Sequence, residues 1–150
     1  MIKSLSIIFP VFNEELRLKS SFRHIKSFLK KKKKFNIEII FVDDGSEDNS
    51  YYLIDKFIKG FKKNNRIKLK VIKSKTNLGK GSALKLGVKV ARNNWILTTD
   101  IDMSVSLFQV CRWLEKKLKI EIIFVDDGSE YNSYNLINKF INNFKTKKKN

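Results

Sequence analysis

Short, almost unbroken apolar runs alternate along this chain with segments whose apolar residues recur at helical spacing. That alternation restricts the available architectures more than any other feature. Leu5 to Phe9 is closed by Pro10 and reads as a buried strand. Glu15 to Leu29 follows, with Leu18, Phe22, Ile25 and Leu29 on one helical face. Ile37 to Val42 is a second buried strand, and the helix after it carries Ile54, Phe57, Ile58 and Phe61 on one side. Ile67 to Ile72 alternates apolar residues with Lys, as an edge or half-exposed strand does. A Gly-rich turn at Asn77 to Gly81 opens a helix reaching about Arg92, Trp95 to Thr99 reads as a further buried strand, and Ser104 or Ser106 can cap a helix running to about Lys117. This pattern predicts an α/β fold, a mostly parallel sheet with helices on both faces. Ligands of such sheets bind at the carboxyl ends of the strands.

The polar motifs fall at those ends. Asp100 and Asp102 close the Trp95 to Thr99 run with one residue between them. Two adjacent carboxylates repel each other unless a cation or donor sits there. Carboxylates that leave room for water and phosphate oxygens are the usual way to hold Mg²⁺ or Mn²⁺ on a nucleotide. Pro10, Phe12, Asn13 and Glu14 end the first strand; an aromatic there can stack on a base while the polar groups meet base or ribose edges. The same residues also suit a strand-to-helix turn, with Asn13 as N-cap and acids in the first helical turn. Asp43 and Asp44, ahead of Gly45, put a carboxylate where it can accept from a base N–H, and Ser46 or Asp48 can cap the helix that follows. Asn77 to Ala83 joins a flexible loop, the Lys80 cation and a helix N-terminus, a combination suited to pyrophosphate, although a bare Gly-Lys-Gly is also an ordinary loop. The Gly spacing is not that of a P-loop.

Charge and composition narrow the partners. The formal net charge is +17, with Lys runs at Lys30 to Lys34 and Lys145 to Lys149. These runs lack the Arg and aromatic interleaving of a nucleic-acid surface. They read first as solvated helix ends and tails, leaving peripheral contact with an anionic membrane open. The single cysteine, Cys111, cannot form an intrachain disulfide and lies on an apolar helical face beside Val110 and Leu114, as a buried thiol would. His24 has no second His or Cys near it in sequence and reads as an ordinary helix residue. No apolar run is long enough to span a bilayer, and a strand-like segment at the N-terminus leaves no room for a secretory signal. The expected location is the cytoplasm, with at most peripheral contact at the cytoplasmic membrane face.

A repeat complicates the C-terminal part. Ile37 to Lys62 reappears as Ile120 to Lys145, with about 21 of 26 aligned residues identical, including Asp126 and Asp127 in place of Asp43 and Asp44. One copy after a unique stretch is not a solenoid period. It divides the chain into residues 1–118, a half-domain bearing every motif above, and residues 119–150, a near-copy of residues 36–67. The first copy has short connections to its neighbours and is expected to take the native strand position. The second would pair at a sheet edge, stay loose, or enter another molecule's sheet to give a strand-swapped oligomer.

The order Ser-Ile-Ile-Phe-Pro-Val-Phe-Asn-Glu-Glu, Val-Asp-Asp-Gly-Ser, Asn-Leu-Gly-Lys-Gly-Ser-Ala and Thr-Asp-Ile-Asp-Met-Ser, over residues 4 to about 118, resembles the family 2 inverting glycosyltransferases of GT-A (Rossmann-like) fold. Within that family it is most similar to the transferases that glucosylate or mannosylate dolichyl or other polyprenyl phosphates. The resemblance implies a UDP- or GDP-sugar donor and transfer of a hexose, with inversion, to a polyprenyl phosphate acceptor. It implies that Pro10, Phe12, Glu14 and Asp44 line the nucleotide pocket. Asp100 and Asp102 would hold Mg²⁺ or Mn²⁺ on the diphosphate, with Ser104 completing that shell and Lys80 approaching the donor. Family members continue well beyond the Asp-x-Asp with acceptor contacts, so the C-terminal half is expected to be incomplete and activity impaired. Two other readings stay open: a non-catalytic nucleotide-sugar-binding remnant, and a basic interaction module for RNA or an anionic membrane.

Overall fold

The computed structural model describes residues 4–31, 34–62, 65–104 and 106–115, apart from the side chain of Trp113. The second copy of the repeat, Asp126 and Asp127 with it, lies outside the described residues, as do the division at residue 118 and the strand-swap expectation. The elements run β1 (Ser4–Val11), α1 (Glu15–Lys31), β2 (Asn36–Asp43), α2 (Ser50–Lys59), β3 (Ile67–Lys73), α3 (Lys80–Val90), β4 (Trp95–Thr98) and α4 (Leu107–Glu115).

The strands form one parallel sheet in the order β3-β2-β1-β4. Residues 36–43, the strand of the first copy of the repeat, hold a central position, as its short connections require. Strand alternation sorts the apolar residues onto two faces. Leu5, Ile7, Phe9 and Val11 of β1, with Ile37, Ile39 and Phe41 of β2, pack under α1, α2 and α4. Ile8, Ile40 and Val42 face α3 through Ala83. Phe22 of α1 stacks on Phe57 of α2 at 4.1 Å between ring centres, and Phe57 meets Phe41 edge-on. Leu107, Val110, Cys111 and Leu114 of α4 join the same core, which accounts for the buried thiol.

Two strand readings change. Pro10 lies inside β1 rather than closing it, in register with Val42. The β1–β4 ladder ends at Ile8, whose carbonyl accepts from Thr99 N–H, and alternation turns Pro10 to that same side, where β4 has already stopped. No ladder bond is lost there. Strand β4 is not buried: Trp95 and Ile96 are 44% and 43% exposed, because among the described residues β4 is an edge with no strand beyond it. No helix among the described residues is long and apolar enough to cross a membrane.

Candidate functional site

The loops after β1 and β2 are locked together by their own polar groups. Asn13, at φ 52°, donates its N–H to Ser46 Oγ at 3.0 Å, while its Oδ1 accepts from Glu47 N–H at 2.9 Å. Glu14 N–H donates to Ser50 Oγ at 2.8 Å. Glu15 and the Asp48–Asn49 pair cap one another's helices: Glu15 N–H donates to Asp48 Oδ2 at 3.0 Å, and the Glu15 carboxylate accepts from Asn49 N–H at 3.1 Å and from Asn49 Nδ2 at 2.9 Å. Burial alone would raise the Asp48 carboxyl, but bonds from Ser50 and Glu15 outweigh it and hold the group below its usual range. Asn13 is thus not the N-cap of α1, a position held by Glu14, and its Oδ1 is committed to the Glu47 and Asp48 amides. It splices two loops far apart in sequence.

That splice sets the rim of a cleft of about 340 Å³ at the carboxyl ends of β1 and β2. Pro10, Phe12, Glu14, Asp44, Lys80 and Asp100 all line it. Phe12 is 42% exposed, leaving a ring face at the cleft. Asp44 is almost buried, and its Oδ1 accepts Leu78 N–H at 3.1 Å, tying the β2 loop to the Gly-rich loop. Gly45, at φ +73°, lets this happen: a Cβ there would lie 2.5 Å from the Thr76 carbonyl carbon. Asn77 Oδ1 accepts Gly79 N–H at 2.9 Å, and Gly79, at φ +89°, turns the chain into α3. The first amides of α3, which have no intrahelical acceptor, therefore begin at the cleft.

Adjacent candidates part company. Asp43 falls on the strand face of Ile39 and Phe41, under the helices, and does not line the cleft. It is fully buried, and among the described residues no hydrogen bond within 3.5 Å reaches either carboxylate oxygen. Burial pushes its carboxyl above the ordinary range, with Ser46 and Lys73 pulling it partly back. Asp100 and Asp102 also diverge. Residues 100–103 form a turn closed by Met103 N–H on the Asp100 carbonyl at 3.0 Å, with Ser21 Oγ donating to the Ile101 carbonyl at 2.6 Å. Asp100 faces the cleft, whereas Asp102 lines a neighbouring cavity of about 220 Å³ with His24, Phe28 and Phe108. Ser104 and Asp100 line a third hollow, and Asp102 Oδ1 accepts Ser104 N–H at 3.2 Å.

Two of the three acids at the cleft, Asp100 and Glu14, have a protein cation, whereas Asp44 is held by a backbone amide. Lys80 Nζ sits 2.8 Å from Asp100 Oδ1 and 2.9 Å from Oδ2. Arg17 Nη1 reaches both Glu14 oxygens, at 2.8 and 3.1 Å. The Glu14 hydrogen bond raises the Arg17 pKa, with Asp102 adding a smaller pull. Among the described residues no three His, Cys, Asp or Glu side chains form a ready metal cage. Yet Asp100 offers hard, half-exposed oxygen, and a hydrated Mg²⁺ or Mn²⁺ needs only one or two carboxylates plus phosphate oxygens. The donor set fits such an ion shared with a ligand. In sequence Asn77 shows only as the start of the Gly-rich turn, and the signal for Arg17 is its acid–base spacing from Glu14 on one helical turn.

Comparison with known proteins gives the family and the fold. The family described as Glycosyl transferase family 2 matches residues 6–107. The chain is 38% identical over 102 residues to a "Dolichyl-phosphate beta-glucosyltransferase" of Dictyostelium discoideum, covering 65% of this chain and 30% of that protein. It is 36% identical over 120 residues to the Mus musculus protein of the same name, covering 77% and 36%. The chain thus spans about a third of these relatives' length. Among solved structures, the mannosyltransferase PcManGT from Pyrobaculum calidifontis, in complex with GDP-Man and Mn²⁺, superposes with a TM-score of 0.55 at 19% identity, covering 65% of this chain and 27% of that one. S. aureus TarS 1-349 gives 0.57 at 20% identity, covering 85% and 40%. The fold is of the GT-A type.

Proposed function

Because this chain belongs to glycosyl transferase family 2, we propose that its cleft holds the nucleoside diphosphate of a hexose donor. In the whole protein it would serve transfer of that hexose, glucose by the names of the relatives, from a UDP- or GDP-sugar to a dolichyl-type polyprenyl phosphate with inversion. The observation that carries this reading is the single cleft in which Pro10, Phe12, Glu14, Asp44, Lys80 and Asp100 meet at the carboxyl ends of a parallel sheet.

Phe12 stacks against the base, and Asp44, already fixed through Oδ1 by Leu78 N–H, turns its remaining acceptor to a base or ribose donor. The α3 amides and Lys80 hold the diphosphate. Asp100 would hold Mg²⁺ or Mn²⁺ at the cleft, with Ser104 on the adjoining hollow and Asp102 reaching the ion only by turning from its neighbouring cavity, and the ion would offset negative charge on the departing diphosphate. The splice through Asn13, Glu15 and Asp48 keeps Phe12 and Asp44 at fixed separation, so little ordering is needed on binding. A phosphate acceptor is already ionised and needs less help from a base than a hydroxyl would.

Calorimetric titration with UDP and GDP, with and without Mn²⁺, tests the reading. Binding of one of them is expected to require Mn²⁺; if neither binds with the metal present, the reading fails. Turnover of a glucose nucleotide with a polyprenyl phosphate then separates an enzyme from a binder.

A further inference from the structure

We propose that Lys80 is a resident counter-ion of Asp100. It excludes a lone divalent cation from that carboxylate and surrenders it when a diphosphate arrives, so that cation and nucleotide load together. This inference rests on the reading of the cleft as a diphosphate site.

The geometry is that of an occupied cation position. Lys80 Nζ lies within 2.9 Å of both Asp100 oxygens, so it straddles the carboxylate as a bound ion would. A divalent cation approaching the same oxygens meets a fixed positive charge at contact distance. Two features make the pair exchangeable. The side chains are 62% and 52% exposed, so separating them leaves neither charge buried. Lys80 is itself exposed and flanked by Gly79 and Gly81, so no side chain on either neighbouring residue confines its stem. The α3 N-terminus gives Nζ a second destination, because an anion drawn to its amides comes within reach of the same lysine. Diphosphate binding thus withdraws the cation that blocks Asp100 and adds phosphate oxygens that share a metal with it. By linkage, the factor by which nucleotide tightens metal binding equals the factor by which metal tightens nucleotide binding.

The test measures Mn²⁺ affinity directly, from the free-ion electron paramagnetic resonance signal, with and without the nucleotide that binds wild type. Lys80→Gln is expected to tighten Mn²⁺ binding about fivefold in the absence of nucleotide. The nucleotide-induced gain in Mn²⁺ affinity shrinks correspondingly. Lys85→Gln, an equal charge change on an exposed α3 residue outside the cleft, should leave both quantities as in wild type. Lys80→Gln combined with Asp100→Asn should lose the tightening, placing it at Asp100. If Lys80→Gln matches Lys85→Gln while wild type still couples metal to nucleotide, the counter-ion role is overturned and the donor site stands. If wild-type Mn²⁺ affinity ignores both nucleotides, the two fall together.

Discussion

The two ends of the sheet use the same ion pair for opposite purposes. At the amino end, Lys70 Nζ lies 2.9 Å from Glu38 Oε1; at the carboxyl end, Lys80 Nζ lies 2.8 Å from Asp100 Oδ1. The Glu38 side chain is 5% exposed and that of Asp100 is 52%. Glu38 is also fully engaged: its Oε2 accepts from Ser6 Oγ at 2.7 Å and from Arg92 N–H at 2.9 Å. Lys70 donates onward to the Val90 carbonyl at 2.9 Å, and Ser6 Oγ accepts Asn93 N–H at 3.3 Å. Three strands and the connection from α3 to β4 are thereby stitched through one carboxylate. Burial alone would raise the Glu38 carboxyl, but Ser6, Arg92 N–H and Lys70 outweigh it and hold it below its ordinary range. Asp100 has only Lys80 as its ion-pair partner in the described cleft. Burial and saturation make one pair structural, and exposure with a single partner makes the other exchangeable.

Removing the structural carboxylate should have the largest effect. Glu38→Ala strands the Ser6 hydroxyl, the Arg92 N–H and the Lys70 ammonium, and should lower unfolding free energy by about 3 kcal/mol in urea titrations. At a temperature where the variant remains folded, its nucleotide affinity should be near wild type, since the network lies at the far end of the strands. Asp100→Asn should do the reverse. Stability stays within about 0.5 kcal/mol, while Mn²⁺-dependent nucleotide binding weakens by about 2 kcal/mol, or roughly thirtyfold. Equal stability losses in the two variants would erase the distinction between the ends. Phe12→Ala follows, with about 1.5 kcal/mol of nucleotide affinity lost and little dependence on Mn²⁺. A loss confined to Mn²⁺-containing samples would move Phe12 from the base to the metal end.

Much of this plan is visible in local pattern. Nearly continuous runs such as Ile37 to Val42, broken only by Glu38, announce a central strand because both faces must be mostly apolar, and the motifs at strand ends carry Phe12, Asp44, Lys80 and Asp100 into one cleft. Three features are not local. Asn13 looks like a cap for its own helix because its acceptors' donors, Glu47 and Asp48, lie in another loop. Trp95 to Thr99 reads as buried because an apolar run does not say whether a neighbour strand lies on both sides. Asp102 shares a motif with Asp100, but the Asp100–Met103 turn sends the two side chains to different cavities. Asp43 and Asp44 were separable in principle. Extending the strand by one residue puts Asp43 in phase with Phe41, facing the helices.

Asp43 sharpens the comparison from a third position, being buried like Glu38 but, among the described residues, without a short hydrogen bond to its carboxylate. Its folded pKa is raised, so its contribution to stability is greatest below the unfolded value of about 3.9 and declines as pH rises through the folded value. Glu38 and Asp48, with depressed folded values, behave oppositely: their contribution is present above the unfolded values of about 4.3 and 3.9 and disappears as pH falls through the folded ones. In wild type the Asp43 term partly offsets the acid loss from the other two. Asp43→Asn removes a buried charge without changing shape, so it should gain about 1 kcal/mol at pH 7. Below pH 4 the gain should vanish, leaving the variant with a steeper acid loss than wild type. Urea titrations across that range read the difference directly. A variant less stable than wild type at pH 7 would mean that the Asp43 carboxylate is held by donors as Glu38 is, and that burial with partners, rather than burial alone, governs every acid beneath the helices.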